Sequence, residues 1–174
     1  YHMLIGVTGY SPDEEEALLR KYLQHSPDGL ILTGIDHNPG VWDLLRAQQI
    51  PTVHTIETLP AGEDMSVGFS QFDSGYAAAR HLLERGHRRV GIVGAQLDPR
   101  SLRRCEGARQ ALRDAGCHDP ALEIMTPEKS SISLGASLLQ DLRDRHPDCD
   151  AVFFCNDDLA QGCLLYTSDA ADDL

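Results

Sequence analysis

The sequence predicts an α/β protein built on parallel sheets, and three observations carry that expectation. Short continuous apolar runs, such as Gly29-Leu30-Ile31-Leu32, Val90-Gly91-Ile92-Val93-Gly94 and Ala151-Val152-Phe153-Phe154-Cys155, read as strands buried on both faces. Amphipathic stretches with helical spacing separate them. The two kinds of segment alternate along the whole chain instead of segregating, as they do in α/β folds. A length of 174 residues suits one domain or two small lobes.

Taken in order, Met3-Leu4-Ile5-Gly6-Val7 reads as the first strand. Gly9 and Ser11-Pro12 signal a turn, after which Asp13, Glu14, Glu15 and Glu16 open a helix whose positive end favours them. Ala17, Leu18, Tyr22 and Leu23 are its predicted buried stripe, and the acid cluster is a solvated helix start rather than a metal site. Extended runs follow at 29–32, 51–56 and 66–69, with a shorter helix around 41–48. Asp73-Ser74 is the predicted cap of a helix carrying Tyr76, Ala79, Leu82 and Leu83, ended by Gly86 with Arg85 and His87 at its negative pole. After the strand at 90–94, a helix is expected from Ser101 to Ala115, a strand at 122–125 and a helix at 134–142. The strand at 151–155 then leads into Asn156-Asp157-Asp158 as loop and helix cap.

Composition excludes several classes. With 15 basic and 27 acidic residues the net charge is −12, so nucleic acid is repelled unless a basic module lies elsewhere. No apolar run approaches the roughly 18 residues a membrane span needs, and the N-terminus lacks a signal-peptide pattern. Residues 1–69 hold 3 basic and 10 acidic side chains, against 12 and 14 in residues 70–162, so an anionic ligand is sought in the second half. Five cysteines, odd in number and without a C-x-x-C spacing, point to reduced thiols in a cytoplasmic protein, not to a disulfide framework or zinc site. Cys155, at the end of an apolar run, reads as a small core residue. Gly91-x-x-Gly94 is only half of a dinucleotide fingerprint, which leaves a nucleotide- or phosphate-using enzyme as the weaker alternative. His87-Arg88-Arg89 is a solvated helix cap before it is a nucleic-acid patch. With no nucleophile elbow, no catalytic residue is assigned, and no metal or cofactor is expected.

An ordered set of short phrases carries a family resemblance. Asp28-Gly29-Leu30-Ile31-Leu32, Ile50-Pro51-Thr52-Val53, Arg85-Gly86-His87-Arg88-Arg89-Val90, Gly107 followed by Ala111-Leu112-x-x-Ala115-Gly116, and Asn156-Asp157-Asp158-Leu159-Ala160-x-Gly162 resemble the effector domains of LacI/GalR-family transcription regulators. The resemblance covers about residues 3–162. Gly94-Ala95-x-Leu97-Asp98 and the phrase at 154–160 are similar to the gluconate-operon repressor branch.

That resemblance implies a periplasmic-binding-protein-like fold, in which two doubly wound parallel-sheet lobes clasp a small effector. Residues 1–69 would be part of the N-terminal lobe and 70–162 part of the C-terminal lobe, both incomplete. The implied effector contacts are Thr33, Glu57, Arg104, Asn156 and Asp157, with Gln71 and Phe72 at the lobe crossover, where many members carry Asp-Asn in place of Ser70-Gln71. Glu57 is also readable as a surface acid and Asn156-Asp157 as an ordinary N-cap. Phe69 and Phe72 either stack on a sugar or fill core, the second being the better expectation. Crowding on one helix leads to the expectation that most of Arg100, Arg103 and Arg109 are solvated. The resemblance further implies a sugar or sugar-acid effector, a homodimeric cytoplasmic parent, and operator DNA held only through a helix-turn-helix headpiece outside these residues. A periplasmic sugar receptor of the same fold is the rival. The first strand here corresponds to the family's second, so Leu4–Val7 is expected to lack its central neighbour and the second lobe to be better ordered. Residues 163–174 resemble the translated read-through of a transposon sequencing adapter and are set aside as a non-native tail.

Overall fold

The computed structural model describes residues 2–60 and 64–172. The chain divides into two compact units, Tyr1–Ser70 and Gln71–Leu174. The first holds α1 (Pro12–Leu23), β1 (Leu30–Thr33), α2 (Pro39–Gln48), β2 (Thr52–Ile56) and β3 (Met65–Gly68), with the strands parallel in the order β1-β2-β3. Ser11 caps α1 by accepting the Glu14 N–H, and Pro12 fills the first helical position, where a missing N–H costs nothing. Asn38 caps α2 in the same way, accepting from the Val41 N–H at 2.8 Å.

Both helices lie on one face of this sheet, where Leu19, Val41 and Leu45 are buried against Leu30 and Leu32. The expected stripe is therefore corrected: Leu19 is the buried residue of α1, and Ala17 is exposed. The other face is bare, with Ile31 78 % and Val67 70 % exposed, contrary to the expectation of cover on both faces. The residues at 3–7 form no strand either. A strand exists only as a member of a ladder, and β1 pairs with β2 alone; Met3, Leu4, Ile5 and Val7 are exposed. The segment is tied down by Tyr22, whose hydroxyl donates to the Ile5 carbonyl at 2.7 Å.

The second unit holds α3 (Gln71–Glu84), β4 (Val90–Ala95), α4 (Pro99–Asp114), β5 (Glu123–Thr126), α5 (Ile132–Arg145), β6 (Ala151–Phe154) and α6 (Asp157–Asp172). Its parallel sheet has the order β5-β4-β6, and the central strand β4 is buried at every residue. The chain moves one way from β4 to β5 and back across β4 to β6, so right-handed crossovers put α4 and α5 on opposite faces. The core joins Val90, Ile92 and Val93 to Ala108, Leu112, Leu122, Leu142 and Leu159. Two helix pairs, α3 with α4 and α5 with α6, approach so closely that side chains are excluded. A Cβ on Gly75 or Gly107 would enter the facing backbone at Arg104 or Phe72, and one on Gly135 or Gly162 that at Leu159 or Ile132.

Several helix starts differ from expectation. α4 begins at Pro99, not Ser101, because Asp98 is the stronger cap: its Oδ1 accepts from the N–H groups of Arg100 at 3.1 Å and Ser101 at 3.3 Å. α3 begins at Gln71 rather than after Asp73, and α5 at Ile132 behind a Ser131 cap. Phe69 is exposed instead of filling core. Gly91 and Gly94 lie inside β4, where a Cβ would press on Leu142 at 2.7 Å and Met125 at 2.8 Å, so they serve packing and not a phosphate loop.

Candidate functional site

Open parallel sheets bind ligands beyond the carboxyl ends of their strands, at the point where the strand order reverses. In the second unit that point lies between the ends of β4 and β6. A cleft of about 590 Å³ runs along the free edge of β6 beside α3 and reaches Arg104, Cys155, Asn156 and Asp157. Asn156 is held from two sides: its Oδ1 accepts from the Leu159 N–H at 3.1 Å, capping α6, and from the Ser130 hydroxyl at 2.9 Å. Both bonds end on Oδ1, so the N-cap role and an outward-donating amide are compatible. Asp157, in the first turn of α6, is exposed.

Arg104 stands apart from the other arginines of α4. Arg100 reaches Asp98 at 3.6 Å. Arg109 grips Glu123 through two hydrogen bonds of 2.8 and 2.7 Å and also pairs with Glu106. Arg100 and Arg109 keep only 19 % and 17 % of their side-chain surface in water, so the expectation that these residues are solvated is corrected by their acidic partners. The Arg104 Nε is buried without a hydrogen-bond partner among the described residues, and Arg104 lines the cleft.

Its neighbours in sequence and space are thiols. The five cysteines are free. The facing Cys155 thiol and burial push the Cys105 thiol up, while the facing Cys105 thiol pulls that of Cys155 down. Gln71, buried, and Phe72, half-buried and stacked on Tyr76 at 6.4 Å, begin α3 and are not among the residues lining this cleft.

In the first unit, Thr33 ends β1 exposed to solvent. Gly34 follows with φ of +87°, its N–H bonded to the Thr55 carbonyl at 2.9 Å. Ile56 ends β2 with φ of +76°, an uncommon state for a β-branched residue, and this twist precedes a Glu57 that is only 4 % exposed. The surface-acid reading of Glu57 is thus corrected. A hydroxyl and a buried carboxylate at adjacent strand ends can accept from and donate to the hydroxyls of a polyol.

Behind this turn lies a cluster that sequence reasoning missed. His54, fully buried, stacks on Trp42 with ring centroids 5.2 Å apart and meets His37, whose other nitrogen contacts Glu15 at 2.8 Å. A histidine at the centre of the strand Thr52–Ile56 was the available signal. His87, Arg88 and Arg89 do close the end of α3: the Arg88 guanidinium donates to the Leu83 carbonyl at 2.9 Å.

Parallel α/β units whose chemistry-bearing side chains gather at the carboxyl ends of their strands define a ligand-binding domain of the periplasmic-binding-protein type. The chain belongs to the family described as periplasmic binding proteins and sugar binding domain of LacI family, whose model matches residues 3–171. It is 51 % identical over 164 residues to the HTH-type transcriptional regulator GntR of Pseudomonas aeruginosa, covering 94 % of this chain and 48 % of that protein. It is 34 % identical over 165 residues to GntR of Escherichia coli, covering 95 % and 49 %. The crystal structure of the transcription regulator GntR from Chromobacterium violaceum superposes with a TM-score of 0.93 at 45 % identity, covering 98 % of this chain and 63 % of that one. The chain spans about half the length of the curated relatives it matches. The α/β fold class and the LacI-family relationship are those expected from the sequence. Among the described residues, no helix is long and apolar enough to cross a membrane, and no group of three or more His, Cys, Asp or Glu is placed to hold a metal ion.

Proposed function

We propose that this chain is the effector-binding portion of a homodimeric LacI-type transcription regulator, and that its effector is a sugar acid such as gluconate. Relatives at 51 % and 34 % identity are transcriptional regulators, which supports this reading over a periplasmic receptor or an enzyme. The observation that carries the effector's charge is Arg104: a buried, unpartnered guanidinium nitrogen at the end of a cleft, beside the capped amide of Asn156. A planar guanidinium matches a carboxylate with two parallel hydrogen bonds. The assignment of Thr33, Glu57, Asp157, Gln71 and Phe72 as further effector-contacting residues is supported by the family relationship. Effector binding would shift the parent between operator-bound and released states, with DNA held by a helix-turn-helix headpiece in a cytoplasmic protein. The lobe assignments 1–69 and 70–162 and the non-native origin of 163–174 are part of this proposal. Amide shift mapping tests it. Gluconate should move the signals of Thr33–Gly34, Arg104–Cys105 and Cys155–Asp157; shifts confined to other residues would overturn the site.

A further inference from the structure

The buried imidazoles of the first unit fix their own proton positions. Glu15 Oε2 can only accept, so the His37 Nδ1 that lies 2.8 Å from it carries a proton. In the neutral ring His37 Nε2 is then an acceptor. It faces His54 Nδ1 at 3.2 Å, so the proton between them belongs to His54. The Gly34 carbonyl, 3.3 Å from the same Nδ1, needs that proton too. This assignment leaves His54 Nε2 as a bare lone pair, and that atom is indeed buried without a hydrogen-bond partner among the described residues. Asp64 Oδ2 lies 3.9 Å from it.

We propose that His54, acting with His37, is a positioning residue for the Thr33–Gly34 turn, and that one proton added to the imidazole pair releases the Gly34 carbonyl. The incoming proton binds the bare His54 Nε2, facing Asp64. The Nδ1 proton of His54 passes across the 3.2 Å contact to His37 Nε2, so the positive charge rests on the ring beside Glu15. His54 is neutral again but in the other tautomer. Its Nδ1 now presents a lone pair to the Gly34 carbonyl oxygen, and a hydrogen bond has become a repulsion.

The groups facing the pair are Glu15 from α1, Asp64 from the segment before β3, and Trp42 from α2, whose indole lies 5.3 Å from His37. Burial first of all lowers the proton affinity of the His54 ring, outweighing the Gly34 hydrogen bond that raises it, so His54 itself stays uncharged through the exchange. The Gly34 N–H also donates to the Thr55 carbonyl, and a Cβ at Gly34 would lie 3.9 Å from the Glu57 carboxylate. Release of the carbonyl therefore frees the turn that presents Thr33 beside Glu57.

The consequence for ligand binding rests on the effector reading above, whereas the tautomer exchange does not, and the test separates them. Imidazole 15N–1H correlation spectra of the whole chain at pH 8 should show His54 with its proton on Nδ1, moving to Nε2 by pH 5. The emission of Trp42, the chain's single tryptophan, should be quenched over the same interval. His37→Gln removes the ring that takes the charge beside Trp42, so its emission change should be lost. An Nε2–H tautomer of His54 at pH 8, or an unchanged quenching curve in His37→Gln, overturns the proposal without requiring any ligand. Calorimetry with gluconate, whose carboxyl titrates near about 3.5 and stays ionised throughout, should show binding about tenfold weaker at pH 5 than at pH 8 in the wild type. That difference should vanish in His54→Asn. A tautomer exchange with equal gluconate affinity at both pH values overturns the link to the site. The same exchange with no gluconate binding at either pH overturns the effector reading and supports the turn device.

Discussion

Glu123 takes two hydrogen bonds from Arg109 and lies 2.6 Å from His118 Nε2. Burial alone would raise its carboxyl, but the hydrogen bonds from Arg109 and His118 outweigh that and hold it below the usual 4.5. A carboxylate lowered in the folded state contributes stability that is present above its unfolded value and is lost as pH falls through the folded one. Glu123→Gln leaves the Arg109 charge largely buried without its main partner and should cost about 3 kcal/mol at pH 7. In urea unfolding, the wild type should lose stability below about pH 4.5, and the variant should show a shallower acid limb. Equal acid limbs would mean that the pair carries no linkage. At this scale the sequence speaks least. Arg100, Arg103, Arg104 and Arg109 look alike in one dimension. Only the fold shows that Glu123 is brought to Arg109 by the β5 crossover while the Arg104 Nε is left without a partner.

The helix pairs are held by absence of side chains. Gly107→Ala would drive a methyl group into the Phe72 carbonyl of α3, backbone that cannot rotate away. That overpacking should cost about 3 kcal/mol or more, whereas Gly86, with φ of +98° and open space around it, should lose only about 1 kcal/mol on change to Ala through backbone strain. Urea midpoints of the two variants check the ranking, and a smaller loss for Gly107→Ala would refute the close approach. Elements were legible where one signal ruled. The uniformly apolar stretch at 90–94 became a fully buried central strand, and Gly86 and Gly116 ended helices with positive φ. They were misread where two signals competed. Asp98-Pro99 out-caps Ser101 because Asp offers a charged acceptor and Pro a fixed φ. Met3–Val7 has strand composition, but pairing is a property of neighbours and is not written in the segment itself.

Across the molecule, protection should follow burial. β4 is covered on both faces and paired on both edges, while the first unit leaves Ile31, Met65 and Val67 in water. Amide exchange should be slowest at Val90–Val93 and fast at Leu4–Val7, and the reverse order would contradict this account. The candidate site was half legible. Strand-following polar residues marked Thr33, Glu57 and Asn156, since parallel sheets place function at strand ends. The burial of Glu57 behind a left-handed Ile56, and the imidazole pair behind Gly34, depend on turns and packing that a linear pattern does not encode. The central claim is that Arg104 awaits an anionic carboxylate, and calorimetry with gluconate and glucose on the wild type and on Arg104→Ala tests it most directly. The account predicts that the wild type binds gluconate at least about tenfold more tightly than glucose, and that the substitution weakens gluconate by about ten- to a hundredfold with little effect on glucose. Equal affinities for the two sugars, or a gluconate affinity unmoved by the loss of Arg104, would contradict it.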